Sequence, residues 1–65
     1  MSVLVYIAQH QGQAKPVSWE IMGKARALAD RLQAPLVGLV IGHGVGAVAA
    51  EAIAYGADRV VVADD

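Results

Sequence analysis

The chain has 65 residues, a mass of 6.7 kDa and a formal net charge of −1, with 57% hydrophobic residues, one Trp, two Tyr and no Phe or Cys. That length allows one small domain with a small core, because thirteen of the hydrophobic residues are Ala. The missing Cys excludes disulfides, Cys-ligated zinc and thiol catalysis. Five basic against six acidic residues give no patch that would neutralise several phosphates, which argues against nucleic acid as a partner. The longest apolar stretch, Leu36 to Ile41, is too short to cross a membrane. With no basic segment before Val3 and no cleavage site after it, a signal peptide is not expected either.

Val3-Leu4-Val5-Tyr6-Ile7-Ala8 is apolar at odd and even positions, the pattern of a parallel strand covered on both faces. The polar stretch Gln9 to Lys15 reads as a loop, with Gly12 as its turn candidate. Pro16 closes this loop and Ser18 is the expected N-cap of a helix running to about Leu32. Ile21, Ala25, Leu28 and Leu32 recur at helical spacing and form its predicted core stripe. Glu20 in the first turn and Arg31 in the last suit the helix dipole, and Glu20–Lys24 and Arg26–Asp30 are expected i,i+4 pairs on the solvated side. Pro35 ends the helix.

Leu36 to Ile41 is the second predicted strand. After Gly42-His43-Gly44 a short Ala-rich helix from about Val45 to Tyr55 is expected, with Val45, Val48, Ala49 and Ala52 as its stripe and Gly56 as its left-handed C′ residue. Arg59 leads into a third strand, Val60 to Ala63, and Asp64-Asp65 follow. The reading is α/β: β-α-β-α-β with a parallel three-stranded sheet, and right-handed crossovers that put both helices on one face. Val3, Val5, Ile7, Leu36, Val40, Val60 and Val62 would face one way, and Leu4, Tyr6, Val37, Leu39, Ile41 and Val61 the other. The second face would then be apolar without cover inside the chain, which predicts a larger parent or a covering partner.

Gly42-His43-Gly44-Val45-Gly46-Ala47 fits the G-x-G-x-x-G/A dinucleotide pattern, and Asp64 stands where a ribose-binding carboxylate would. Gly42, Gly44, Gly46 and Asp64 are therefore the candidate cofactor-binding residues, with amides at a helix N-terminus facing phosphate. The usual arrangement places this turn after the first strand, whereas here it follows the second, so a plain tight turn competes with that reading. His10 and His43 lie in loops at the C-terminal edge of the strands and read first as solvated histidines. No paired-His or Glu-x-x-His spacing suggests a metal. Ser18 lacks a base that would make it a nucleophile, Trp19 reads as a partly buried packing residue, and Asp64-Asp65 read as a solvated pair. No set of residues assembles a catalytic constellation, so no enzyme is predicted.

As whole segments the chain resembles the N-terminal region of the electron-transfer flavoprotein alpha subunit. The matching stretches are Val3-Leu4-Val5-Tyr6, Lys15-Pro16-Val17-Ser18, Gly23-Lys24-Ala25-Arg26, Leu28-Ala29-Asp30, Gly42-His43-Gly44-Val45, Ile53 to Val60 and Val62-Ala63-Asp64. The succession covers nearly the whole chain. The resemblance implies that residues 1–65 are an N-terminal α/β domain fragment, a partial Rossmann-like (adenine nucleotide alpha hydrolase-like) unit. It implies an electron carrier of an alpha–beta heterodimer that takes electrons from dehydrogenases, such as the acyl-CoA dehydrogenases of fatty acid β-oxidation. These electrons would pass through FAD to a quinone reductase.

The resemblance further implies that FAD is bound mainly by a domain absent here and AMP by the beta subunit. No cofactor is then expected on this chain alone, whose role would be structural, in subunit assembly. A nucleotide-binding half-domain using Gly42 to Ala47 is the alternative, and self-association through the bare face is a further expectation. The implied location is the bacterial cytoplasm, or the mitochondrial matrix for a eukaryotic source. A strand beginning at Val3 leaves no room for a transit peptide and favours the bacterial source.

Overall fold

The computed structural model describes residues 1–10, 13–42 and 44–63. The elements are β1 (Val3–Tyr6), β2 (Gln9–His10), β3 (Gln13–Ala14), α1 (Pro16–Leu32), β4 (Leu36–Ile41), α2 (Gly46–Ala54) and β5 (Arg59–Ala63). β1, β4 and β5 form the parallel α/β sheet in the order β1-β4-β5. The register sets Val5 beside Gly38 and Gly38 beside Val60. Met22, Ala25 and Ala29 of α1 share one core with Val48 and Ala52 of α2 and with Val5, Ile7, Leu36 and Val40, so both helices lie on the same face. The partial Rossmann-like architecture agrees with the strand and helix order read from sequence.

The segment expected to be a loop contains a small antiparallel ladder, with Gln9 opposite Ala14 and His10 opposite Gln13. Hydropathy carries no trace of it, because a two-residue strand of polar side chains is indistinguishable from a loop. The turn candidate Gly12 falls outside the described residues. β1 ends at Tyr6 rather than Ala8. Ile7 still donates its N–H to the Leu39 carbonyl, but Ala8 turns to meet α1.

Three expectations for α1 are corrected. Its sheet-facing stripe is Ser18, Met22, Ala25 and Ala29, whereas Ile21, Leu28 and Leu32 are half-exposed, as is Val17. The helix is rotated so that Met22 with the small residues Ser18, Ala25 and Ala29 meets the sheet in place of Ile21, Leu28 and Leu32. Ser18 is not the N-cap: the helix starts at Pro16 after Lys15, which offers no side-chain cap. Ser18 is instead buried, and its Oγ accepts from the Ala8 N–H (3.0 Å) and donates to the Ala8 carbonyl (3.2 Å). With the helix beginning two residues earlier, Glu20 lies beyond the first turn, while Arg31 does occupy the last. At the C-terminus Gln33 takes a left-handed conformation and the Ala34 N–H reaches back to the Ala29 carbonyl.

The Ser18 contact makes a direct prediction. Ser18→Ala removes the partner of the part-buried Ala8 N–H, while the Ala8 carbonyl keeps the Lys15 N–H, and should cost about 1–3 kcal/mol of unfolding free energy. Urea denaturation checks it, and a change within about 0.5 kcal/mol would mean that water replaces the hydroxyl there.

α2 follows its expected stripe, with Val45, Val48 and Ala52 buried. Gly56 carries a positive φ (122°), as expected for the residue that ends this helix. The opposite face of the sheet holds Leu4, Tyr6, Ile41 and Val61, all exposed, together with the partly buried Leu39. Val37, flanked in register by Leu4 and Arg59, is the buried exception on that side. No helix is long and apolar enough to cross a membrane among the described residues.

Candidate functional site

The turn between β4 and α2 is built by backbone geometry. Gly42 and Gly44 both have positive φ (150° and 66°), a conformation that side chains with a Cβ rarely adopt. Gly46 opens α2, whose N-cap Val45 offers no side-chain oxygen. The amides at this end therefore lack a side-chain cap, the condition under which a helix N-terminus can meet an anion. The surroundings of Gly42 are already filled: a Cβ there would come within 2.6 Å of Gln9 Nε2, which donates to the Ile41 carbonyl at 3.2 Å. Space around Gly44 and Gly46 is open. His43, Asp64 and Asp65 lie outside the described residues, so three of the sequence candidates have no placement relative to this turn.

Strand order bears on the same point. Open α/β sheets bind ligands where the strand order reverses. Among the described residues β1-β4-β5 advances in one direction. His10 is exposed on the hairpin, and Ser18 is committed to the Ala8 backbone. Among the described residues no group of His, Asp and Glu is placed to hold a metal ion. Trp19 has the packing role expected of it, partly buried and stacked on Tyr55 with centroids 4.4 Å apart and planes 7° from parallel.

A polar joint that the sequence did not reveal ties α1, α2, β4 and β5 together. Arg26 Nη1 donates to the Gly56 carbonyl (2.7 Å) and to Asp58 Oδ2 (3.1 Å), while Nη2 pairs with Asp30 (2.8 Å). The expected Arg26–Asp30 pair is therefore present, but Arg26 also reaches across the fold. Asp58 Oδ2 accepts the Leu36 N–H at 2.8 Å, and the Asp58 N–H returns to the Leu36 carbonyl. The Leu36 amide, and after it the Arg26 guanidinium, hold the Asp58 carboxyl below its ordinary pKa, and Arg26 is raised in turn. No local spacing signals this joint, because Arg26 and Asp58 are 32 residues apart.

A depressed folded-state pKa means that this contribution is present above the unfolded carboxylate value of about 4 and is lost as pH falls through the lower folded value. Stability measured against pH should therefore fall more steeply below about pH 4 in the native chain than in Asp58→Asn, which keeps an oxygen for the Leu36 N–H. Parallel acid limbs for the two proteins would show that Asp58 carries no such linkage.

Two groups of large apolar side chains are exposed: one on the bare sheet face (Leu4, Tyr6, Ile41, Val61) and one on the flank of α1 (Val17, Ile21, Leu28, Leu32). The first was expected from the strand pattern and the second was not. Its signal was nevertheless in the sequence, since apolar residues at positions 17, 21, 28 and 32 add a second stripe beside the first and widen the face beyond what one sheet covers.

Comparison with known proteins adds to this geometry. A family model described as "Electron transfer flavoprotein domain" matches residues 3–65. The chain is similar to Protein FixB of Azorhizobium caulinodans, 48% identical over 97% of this chain and 18% of that protein. It is 40% identical to the electron transfer flavoprotein subunit alpha of Megasphaera elsdenii, over 97% of this chain and 19% of that protein. It is 37% identical to the acryloyl-CoA reductase electron transfer subunit beta of Anaerotignum propionicum, over 95% of this chain and 17% of that protein. The chain thus spans under a fifth of the length of these relatives.

Proposed function

The chain belongs to the electron transfer flavoprotein family, and from that premise we propose that it is the N-terminal α/β unit of an alpha-type subunit, serving assembly and not chemistry of its own. The family is one of electron carriers, and the similarity to proteins named as electron transfer subunits supports that role over a classical enzyme. The observation that carries the assembly role is the apolar sheet face, with Leu4, Tyr6, Ile41 and Val61 exposed across its three strands. A face of this kind is a contact surface, and the occupant proposed for it is a beta subunit. The complete carrier would receive electrons from dehydrogenases, including those acting on acyl-CoA substrates, and deliver them to a quinone reductase in the bacterial cytoplasm.

The side chain of Gln9 fills the space beside Gly42, which supports placing the flavin elsewhere in such a subunit. FAD is accordingly assigned to another part of such a subunit and AMP to the beta subunit. Mixing the chain with a beta subunit of the family should give a co-eluting complex that Ile41→Glu and Val61→Glu abolish while the circular dichroism spectrum is kept. Flavin retained one-to-one by the chain alone would overturn the assembly role.

One observation favours a second reading, a phosphate contact by Gly42, Gly44, Gly46 and Asp64. It is the open left-handed Gly44 next to the uncapped start of α2. It requires AMP or dinucleotide binding that Gly44→Val removes, and no binding at about millimolar ligand would end it.

A further inference from the structure

We infer that the joint between Arg26 and Asp58 sets the register of β5 against β4, a choice that the side chains of β5 leave open. This device is independent of the subunit role above.

Register is ordinarily specified by which residues repel water, because a slip of one residue turns every side chain to the other face. β5 carries no such instruction, since its centre is three identical residues, Val60, Val61 and Val62. Val60 stands beside Gly38 and packs on the core, while Val61 stands beside Leu39 on the opposite face. Moved down by one residue, Val61 would take the place of Val60 and Val62 that of Val61. Val60 would replace Arg59, an exposed cation, beside Val37. Apolar packing therefore ranks the two arrangements nearly alike. The upper end of the ladder is equally permissive, because there the Gly42 N–H binds the Ala63 carbonyl, a group that any residue supplies.

The lower end is selective. Asp58 Oδ2 accepts the Leu36 N–H at 2.8 Å, and the Asp58 N–H donates to the Leu36 carbonyl at 2.8 Å. One residue thus occupies both backbone groups of Leu36, which is fully buried. Ala57 and Arg59 carry no side-chain acceptor, so a slip in either direction takes this carboxylate from the Leu36 N–H.

Arg26 refers the same position to a point outside the strand pair. It donates to the Gly56 carbonyl (2.7 Å) and to Asp58 Oδ2 (3.1 Å), and its Cδ lies 3.2 Å from where a Cβ on Gly56 would stand. α1 is itself held near its start by Ser18 on the backbone of Ala8, just after β1. The height of β5 is thus referred through α1 to β1, two strands away in the order β1-β4-β5. An ion pair as exposed as Arg26–Asp58 adds little stability. Its use is to choose among arrangements that packing does not separate. The choice decides that Arg59 and Val61, and not Val60 and Val62, stand on the face opposite the helices.

The short connection from α2 also restrains β5, and cross-linking separates the two causes. The chain has no cysteine, so engineered pairs report the register directly. Leu39→Cys with Val61→Cys tests the observed pairing, in which opposite residues on one face lie within disulfide reach. Leu39→Cys with Val60→Cys, and with Val62→Cys, tests a slip of one residue up or down, because in the observed register these thiols stand on opposite faces. With Arg26 and Asp58 in place, only the first pair should close on mild oxidation.

Asp58→Ala should raise the rate of a slipped pair relative to the observed pair by about tenfold, the scale of one buried N–H losing its partner. Arg26→Met should shift the ratio in the same direction. Asp58→Asn, which keeps an oxygen for the Leu36 N–H, should shift it less. Circular dichroism, with oxidation in urea as the unfolded reference, identifies a variant that has lost its fold, and Arg26→Met then decides alone. Slipped pairs that stay unreactive in folded Asp58→Ala and Arg26→Met would overturn the inference and give the register to the α2–β5 connection. So would a slipped pair that closes as readily with Arg26 and Asp58 in place.

Discussion

Met22→Ala is expected to lower the unfolding free energy by about 3 kcal/mol, whereas Leu28→Ala, six residues further along the same helix, should cost less than about 1 kcal/mol. Met22 is 0% exposed and Leu28 is 48% exposed. Truncating Met22 removes its transfer free energy and leaves a cavity in the core cluster that also holds Ile7, Leu36 and Val48, which are themselves fully buried. Truncating Leu28 leaves no void, because water already reaches it. A 65-residue chain is expected to hold about 3–10 kcal/mol in total, so Met22→Ala could consume much of it. Denaturant unfolding of dilute protein gives both values. Equal costs, or a larger cost at position 28, would mean that α1 presents the face predicted from hydrophobic size and not the one seen.

Gly38→Val should destabilise the chain by about 3 kcal/mol and Gly38→Ala by about 1 kcal/mol, although Val is the better strand former. Gly38 is the middle of the central strand, paired with Val5 and Val60. An added Cβ would stand 3.0 Å from Ile7 Cδ1, 3.6 Å from Val60 Cγ2 and 3.8 Å from Ala52 Cβ. Ile7 and Ala52 are fully buried, so neither can move aside without displacing the core or lifting α2 from the sheet. On an open strand the same substitution would stabilise, since Gly loses the most conformational freedom on folding. The sign of the effect therefore reports whether α2 sits in close contact over this glycine, and a stabilised Gly38→Val would show that it does not.

Both predictions depend on features that hydrophobic patterning treats unequally. The run Leu36 to Ile41 announced a strand, and the observed strand has those bounds. Gly56 announced the end of α2, because few other residues accept its φ. The alternation of β1 and β4 was enough to divide the two faces and to leave one of them bare. These are consequences of periodicity and of local backbone sterics, and no distant contact is needed to read them. The glycine turn was equally visible as a turn, but the side chain of Gln9 resting against Gly42 was not.

The rotation of α1 is of another kind. Its apolar residues cover an arc broad enough for two adjacent stripes, and periodicity cannot rank them when the sheet-facing one is rich in Ser and Ala. What selects the buried stripe is a set of long-range contacts: Ser18 with Ala8, Arg26 with Gly56 and Asp58, and Trp19 with Tyr55. Each joins residues at least ten positions apart, so none is encoded in a local spacing. By itself, then, the sequence determined the two helices, the three strands of the parallel sheet, their order and the bare face, because these follow from which residues repel water and at what period, whereas the β2–β3 ladder left no such trace. Only the tertiary structure decided which side of α1 is buried and which is left for a partner, because that choice rests on polar contacts made after the chain has closed on itself.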